Sequence, residues 1–319
     1  MAFNPKKYIV QKCIELNNEV KGKVLVAVSG GVDSTVSAAL IKEAGIKTKL
    51  LFIDSGYQRR GEPKTVVSQF KKMGYDIDLI SAKKLFRKKT ANSKIENRLA
   101  GFRNTYFDLI IKYARKNKIG TLVQGTQFYK TSVQTGHSAP NNKFLSSKIK
   151  LIEPVRGMPK DHIRAVAREL GLPESTTTRM SFPGPGFLIR VYGKPTVKKL
   201  SIISEATDIV DAMLKKHANV FKNAYQLFPY LLADISISYK DENNEKAKGW
   251  IILIRSLQQL PDKDGPGYIY RPLFIPKKIE EKLVFDLMKI KGVARVCFDL
   301  SPKNGSGLKV RTGATIEFQ

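Results

Sequence analysis

The sequence predicts an α/β fold, a parallel sheet covered by helices, followed by a smaller α+β domain. Three observations carry that reading. Short apolar runs rich in β-branched residues alternate with helical stretches through the first half of the 319 residues. Strands separated by helices need long crossover connections, and these pair strands in parallel. After a Pro/Gly cluster at residues 181–186 the alternation gives way to one helical stretch and then strand-like runs. The cluster is read as a rigid junction and not a catalytic element, dividing the chain into domains 1–186 and 187–319.

Residues 23–28 (KVLVAV) read as a first buried strand, ending at Ser29, Gly30 and Gly31, and 35–44 as a helix stopped by Gly45. Residues 49–53 form a second strand that ends at Asp54 and Gly56, and 61–73 a helix with Gly74 as its C-cap. A strand at 77–80, a long helix at 97–116 and a strand at 121–124 ending in Gly125 and Thr126 come next. A short strand at 151–154 and a helix at 160–170 complete the first domain. In the second, 196–216 and 278–289 read as helices and 233–238, 250–257 and 293–300 as strands, with hairpin tips at 241–245 and 302–307.

A chain with 42% apolar and 26% charged residues is not disordered. Its longest apolar runs are too short for a bilayer and residues 1–7 carry no secretory pattern, so a cytoplasmic protein without a membrane partner is expected. Two cysteines, Cys13 and Cys297, allow neither a disulfide framework nor a four-cysteine zinc site. The 56 Lys and Arg against 28 Asp and Glu give a net charge of +28. Such a balance suits an RNA or other polyanion contact. A lysine-rich composition is the other reading, because 41 of the cations are Lys, spread over the whole chain.

Parallel sheets bind ligands at the carboxyl ends of their strands. Three polar signatures stand there: residues 29–34, 54–56 and 125–126. The first, Ser29, Gly30, Gly31, Val32, Asp33 and Ser34, is the sharpest. Two glycines let the backbone turn tightly and aim successive N–H groups, and the helix that follows adds its positive end, a combination built for phosphate. Ser29 and Ser34 add hydroxyls, and Asp33 is placed to hold Mg²⁺ against phosphate oxygens. A Walker loop would need Gly-Lys-Ser/Thr and a dinucleotide fingerprint G-x-G-x-x-G, and neither is present. An ordinary glycine turn with a serine cap is the bland alternative.

The hexapeptide SGGVDS resembles the pyrophosphate loop of the N-type ATP pyrophosphatases. Further stretches are similar to one branch, the ATP-pyrophosphatase subunits of GMP synthetases. These are DSGYQRRGE (54–62), QGT (124–126), EPVR with KDHIR (153–156 and 160–164), FPGPG (182–186) with Arg190 and Gly193, and ATIEF (314–318). The resemblance runs colinearly from the first strand to the C-terminal end. It implies an adenine-nucleotide α-hydrolase sheet with a small dimerisation and acceptor-binding domain, hence a homodimer. ATP and Mg²⁺ are the implied cofactors: residues 29–34 meet pyrophosphate, Asp54 lies beside adenosine, and Gly125 and Thr126 complete the nucleotide site. Asp33, Lys160 and Asp161 are the implied catalytic groups at the phosphates. Arg311, Thr315, Ile316 and Glu317 would meet a purine nucleotide acceptor. The implied reaction is amination of xanthosine monophosphate to GMP, with ammonia taken from solution or from a separate glutamine amidotransferase subunit, since no cysteine here stands in a nucleophile-elbow context.

The chain departs from that pattern where the acceptor would bind. Residues 129–134 (YKTSVQ) replace P-D-x-I-E-S, the lid region reads HSAPNNKF (137–144), QQLPD (258–262) replaces D-x-M-T-A, and RTG (311–313) replaces K-P-P. The order of readings is therefore a divergent GMP synthetase, then a paralogue adenylating another purine or a tRNA base, then a regulatory nucleotide-binding subunit. His162 and His217 read as ordinary residues, with His137 the one histidine placed for phosphate. The run Lys83, Lys84, Arg87, Lys88 and Lys89 reads as a solvated face or mobile loop, with guidance of a polyanion as the other reading. Tyr57, Tyr129, Tyr268 and Tyr270 read as packing, with base stacking as theirs.

Overall fold

The computed structural model describes residues 3–126, 140–177, 182, 184–240, 243–261 and 268–301. The chain forms two compact units, Met1–Lys89 with Leu99–Gly184 and Thr90–Arg98 with Pro185–Gln319.

The first unit opens with α1 (Pro5–Glu19), which the sequence reading did not assign an extent. Its start is chemically explicit: the Asn4 side chain accepts from the Lys7 N–H at 3.0 Å, and Pro5 fills a first-turn position where no amide donor is needed. Then come β1 (Val24–Ala27), α2 (Val32–Glu43), β2 (Thr48–Asp54), α3 (Glu62–Lys72), β3 (Ile77–Ser81) and α4 (Lys83–Lys89). The long α5 (Ile95–Lys116) begins in the other unit and continues here, followed by β4 (Thr121–Gln124), α6 (Asn142–Leu145), β5 (Lys150–Ile152), α7 (Lys160–Glu169) and α8 (Glu174–Thr177).

The five strands are all parallel, in the order β3-β2-β1-β4-β5. Central β1 is buried along its whole length, as a strand covered on both faces must be, and this is why it reads as an unbroken apolar run. Val24, Leu25, Val26, Leu122 and Val123 lose all contact with solvent. Strand order reverses between β1 and β4, and a crevice opens at such a switch point beyond the carboxyl ends. Helix α2 leaves that crevice so deeply buried that Thr35 and Ser37 turn their hydroxyls back onto the Gly31 and Asp33 carbonyls, both at 2.9 Å.

The run at 83–89 presents the solvated face read in the sequence, with Lys83, Lys84, Lys88 and Lys89 exposed. It is a helix, anchored by a fully buried Phe86 beneath its cations.

The second unit holds a 3₁₀ turn (Gly186–Ile189), β6 (Val191–Tyr192), α9 (Val197–Lys216), β7 (Ala224–Lys240), β8 (Lys246–Pro261), β9 (Tyr268–Pro272), α10 (Lys277–Met288) and β10 (Val293–Asp299). The sheet order is β10-β8-β7-β6, with β9 also on β8; β7–β8 and β8–β9 are antiparallel and the other pairs parallel. Helix α9 packs on β7 and α10. Strands β7 and β8 run well beyond the stretches read in the sequence, because cross-strand pairing extends β7 back to Ala224 and on to Lys240, and β8 from Lys246 to Pro261. The turn that follows β7 is the hairpin tip expected there, and Asn244 takes a left-handed φ of 64°. The tip at 302–307 lies outside the described residues. Among the described residues no helix is long and apolar enough to cross a membrane.

Candidate active site

The loop between β1 and α2 sits at the switch point. Gly30 takes φ +77°, a left-handed conformation that a side chain would strain, and Gly31 caps α2. The Ser34 hydroxyl donates to the Gly31 carbonyl at 3.0 Å and accepts from the Ser29 N–H at 3.2 Å, while the Ser29 and Ser34 hydroxyls lie 3.3 Å apart. The loop is thus closed on itself by short polar side chains. The first turn of α2, with Asp33 in it, lies at the positive end of a 12-residue helix.

Gly125, the residue after β4, has a role that the motif alone does not reveal. A Cβ there would lie 2.4 Å from the Ser34 nitrogen, 2.5 Å from the Asp33 carbonyl carbon and 2.6 Å from the Ser34 Cα. The exit of β4 therefore presses backbone against backbone on the start of α2, and only glycine leaves room for it. Thr126 beside it is buried.

Asp33 meets Lys160, the first residue of α7, whose Nζ donates to both carboxylate oxygens at 2.6 and 2.7 Å. The two side chains remain 24% and 30% exposed, so the pair is held by geometry and not sealed from water. Asp161 is exposed in the first turn of α7, where a carboxylate favours the helix dipole, and its side chain makes no hydrogen bond or ion pair among the described residues.

Asp54 ends β2 and is buried. One of its oxygens accepts from the Gly56 N–H at 2.9 Å and the other faces Lys83 Nζ at 3.2 Å. Gly56 has φ +79°, and a Cβ on it would lie 3.1 Å from the Lys83 side chain. The turn is braced by Gln58, which accepts from the Gly56 N–H at 3.1 Å and donates to the Ile53 carbonyl at 3.1 Å. Lys83 is the residue that sequence reasoning missed. Its signal was its place directly after the third strand, at the same sheet edge as Asp54.

The donor set suits magnesium. One carboxylate and two hydroxyls flank a helix N-terminus, and Mg²⁺ binds through one or two carboxylates plus substrate phosphates instead of through an all-protein cage. No group of three or more His, Cys, Asp or Glu residues with metal-holding geometry occurs among the described residues. Arg311, Thr315, Ile316, Glu317, His137 and Tyr129 lie outside the described residues.

A parallel sheet ordered β3-β2-β1-β4-β5, with SGGVDS at its switch point, defines a nucleotide-binding protein of the phosphate-loop ATP-pyrophosphatase class. The family model described as "Thiamine biosynthesis protein (ThiI)" matches residues 19–207, more than half of the chain. One subunit of the glutamine-hydrolyzing GMP synthase of Methanocaldococcus jannaschii is 33% identical, over 99% of this chain and 100% of that protein. The corresponding subunit of Methanopyrus kandleri is 30% identical, again over 99% and 100%. In Pyrobaculum aerophilum the matching glutamine-hydrolyzing GMP synthase is longer: 33% identity extends over 91% of this chain but 59% of that protein. The solved NMN synthetase of Francisella tularensis is 18% identical with a TM-score of 0.45, covering 58% of this chain and 78% of that one. The chain belongs to this phosphate-loop group and, within it, to the family of these GMP synthase subunits.

Proposed function

We propose that the chain is the synthetase component of a two-subunit GMP synthase. It would convert xanthosine monophosphate, ATP and ammonia into GMP, AMP and pyrophosphate. The observation that carries the reading is the built phosphate loop at the switch point of a chain alike to a GMP synthase subunit over its whole length. That such relatives are single subunits of a glutamine-hydrolyzing enzyme supports a separate glutaminase that supplies ammonia. A homodimer formed through the second unit is part of this reading and follows from the family resemblance.

Each residue then has a task. The N–H groups and hydroxyls of Ser29–Ser34 and the end of α2 hold the β- and γ-phosphates and stabilise the charge that gathers on departing pyrophosphate. Asp33 would hold Mg²⁺, which on binding neutralises phosphate charge. Lys160 stands at the same phosphates, with Asp161 beside it, and Asp54 with the Gly56 turn would meet the adenosine. The C2 oxygen of the acceptor attacks the α-phosphorus and the bond to pyrophosphate breaks. Ammonia then adds at C2, loses a proton, and AMP leaves. No protein side chain becomes covalently attached, so positioning carries most of the rate. Arg311, Thr315, Ile316 and Glu317 are proposed to hold the acceptor.

The test is pyrophosphate release from ATP and Mg²⁺ at high ammonium, with and without xanthosine monophosphate, with GMP followed by chromatography. GMP formation is expected, and Asp33→Asn should lower it by about 100-fold or more, the usual effect of removing an electrostatic stabiliser. ATP binding without GMP would overturn the acceptor. The +28 charge would then direct the search to tRNA, for which retention should fall steeply with salt.

A further inference from the structure

We infer that Lys160 is a placeholder for the metal at Asp33 and couples metal binding to nucleotide binding. The inference rests on the reading of Asp33 as the magnesium ligand. A single ammonium group donates to both Asp33 oxygens, at 2.6 and 2.7 Å, and so occupies the edge of the carboxylate that a hard dication would use. A divalent cation drawn to that edge competes with the ammonium, because repulsion between the two positive groups removes part of the attraction that the carboxylate offers the metal. Metal entering alone therefore binds against the Lys160 charge or displaces it, and either costs affinity. Metal entering with a triphosphate meets no such obstacle, since the phosphate oxygens receive the released ammonium.

The positions of the two residues favour such an exchange. Asp33 is in the first turn of α2 and Lys160 is the first residue of α7, so both side chains hang from rigid helix starts. Their partial exposure leaves the lysine free to move without uncovering a buried charge. Lys160 acts here as a positioning residue before it acts on substrate: it keeps the carboxylate aimed in the free chain and hands it to the metal only when phosphate arrives. Reciprocity requires nucleotide to raise metal affinity by the same factor as metal raises nucleotide affinity.

The experiment reads Mn²⁺ binding by electron paramagnetic resonance on the full chain, first without nucleotide. Lys160→Met, and Lys160→Gln as a second neutral replacement in case one fails to fold, should bind Mn²⁺ about ten-fold or more tightly than the unaltered chain, the effect of removing one competing charge near a carboxylate. Lys160→Arg, which keeps the charge, should stay near the unaltered value, and both neutral variants should lose affinity for ATP. Nucleotide-free Mn²⁺ affinity within two-fold of the unaltered chain in the folded neutral variants would overturn the placeholder. Asp33→Asn separates this from the underlying reading: if Mn²⁺–ATP binding survives that change, the assignment of Asp33 as the metal ligand is what fails.

Discussion

The two units handle charge in opposite ways. At the strand exits of the first unit the acids are paired with lysines rooted at helix starts: Asp33 with Lys160 and Asp54 with Lys83, the latter lysine side chain 53% exposed. In the second unit three arginines are themselves buried. Arg98 donates to the Val191 and Gly193 carbonyls, both at 2.8 Å, Arg190 lies over the Phe228 ring at 4.1 Å, and Arg255 pairs with Asp299. The three arginines are 2%, 1% and 4% exposed. A lysine on a flexible exposed stem is a counter-ion that a ligand can replace. A buried guanidinium with a fixed fork of donors is part of the fold. The difference separates residues whose loss should stop chemistry from residues whose loss should unfold a unit.

The sharpest break in that comparison is Gly125→Ala, which touches no charge at all. The added Cβ would meet backbone atoms of Asp33 and Ser34 that cannot step aside as a side chain would. Displacing the loop by even an ångström is expected to cost on the order of 100-fold in pyrophosphate release, with ATP affinity falling as well. A fully active variant would show that the start of α2 tolerates movement and that the close approach serves packing only.

Arg98→Met tests the other side. It strands two carbonyls that a charged donor satisfies and should lower stability by about 3 kcal/mol, measured as a loss in urea midpoint. The same bonds explain why Thr90–Arg98 belongs to the second unit although α4 and most of α5 belong to the first. If the variant keeps its stability and loses pyrophosphate release, the division between exchangeable lysine and structural arginine is wrong.

Acid should discriminate further. Burial alone would raise the Asp299 carboxyl, but hydrogen bonds from Ser301 and the Arg255 guanidinium outweigh it and hold the group below the ordinary carboxylate range. A depressed folded pKa means that the unfolded chain takes up the proton first. The stabilisation is therefore complete above the unfolded value, about 4, and is lost as pH falls through the folded one. Denaturant midpoints should hold steady from neutral pH down to about 5 and drop below about 4, and Asp299→Asn should flatten part of that drop. An unchanged acid limb in the variant would remove Asp299 from the account.

How much of this was legible in the sequence follows the same divide. The first unit could be read because its signals are local: β1 is an unbroken apolar run, Gly45, Gly74 and Gly171 end helices in left-handed conformations, and SGGVDS stands between strand and helix. What could not be read there was distance. Lys160 lies 127 residues from Asp33, so only the family resemblance placed it at the phosphates and nothing local showed the ion pair. Nothing about Gly125 in the sequence shows that another backbone presses on it. The second unit was less legible. The extent of β7 and β8 and the existence of β9 depend on cross-strand pairing, which leaves only a weak trace in apolar alternation. Arg98 and Arg255 look like any other member of a set of 56 cations until their carbonyl and carboxylate partners are known.

The smallest effect belongs to a pair that resembles the others on paper. Lys49 Nζ lies 2.5 Å from Asp76 and 2.8 Å from Asp78, and the Tyr113 hydroxyl donates to Asp78 at 2.5 Å. The Lys49 and Tyr113 hydrogen bonds hold the Asp78 carboxyl below its usual range. Yet the two aspartate side chains are 63% and 47% exposed, far from the burial of Arg255 and without a ligand to receive the lysine. Solvent screening limits such pairs, so Lys49→Met should cost no more than about 1 kcal/mol and leave pyrophosphate release unchanged. A loss several times larger, removed by raising salt, would mean that Lys49, Asp76, Asp78 and Tyr113 act as one network at the β2–β3 edge. Short distances alone would then be enough to stabilise an exposed edge, and exposure would no longer separate the replaceable charges from the fixed ones.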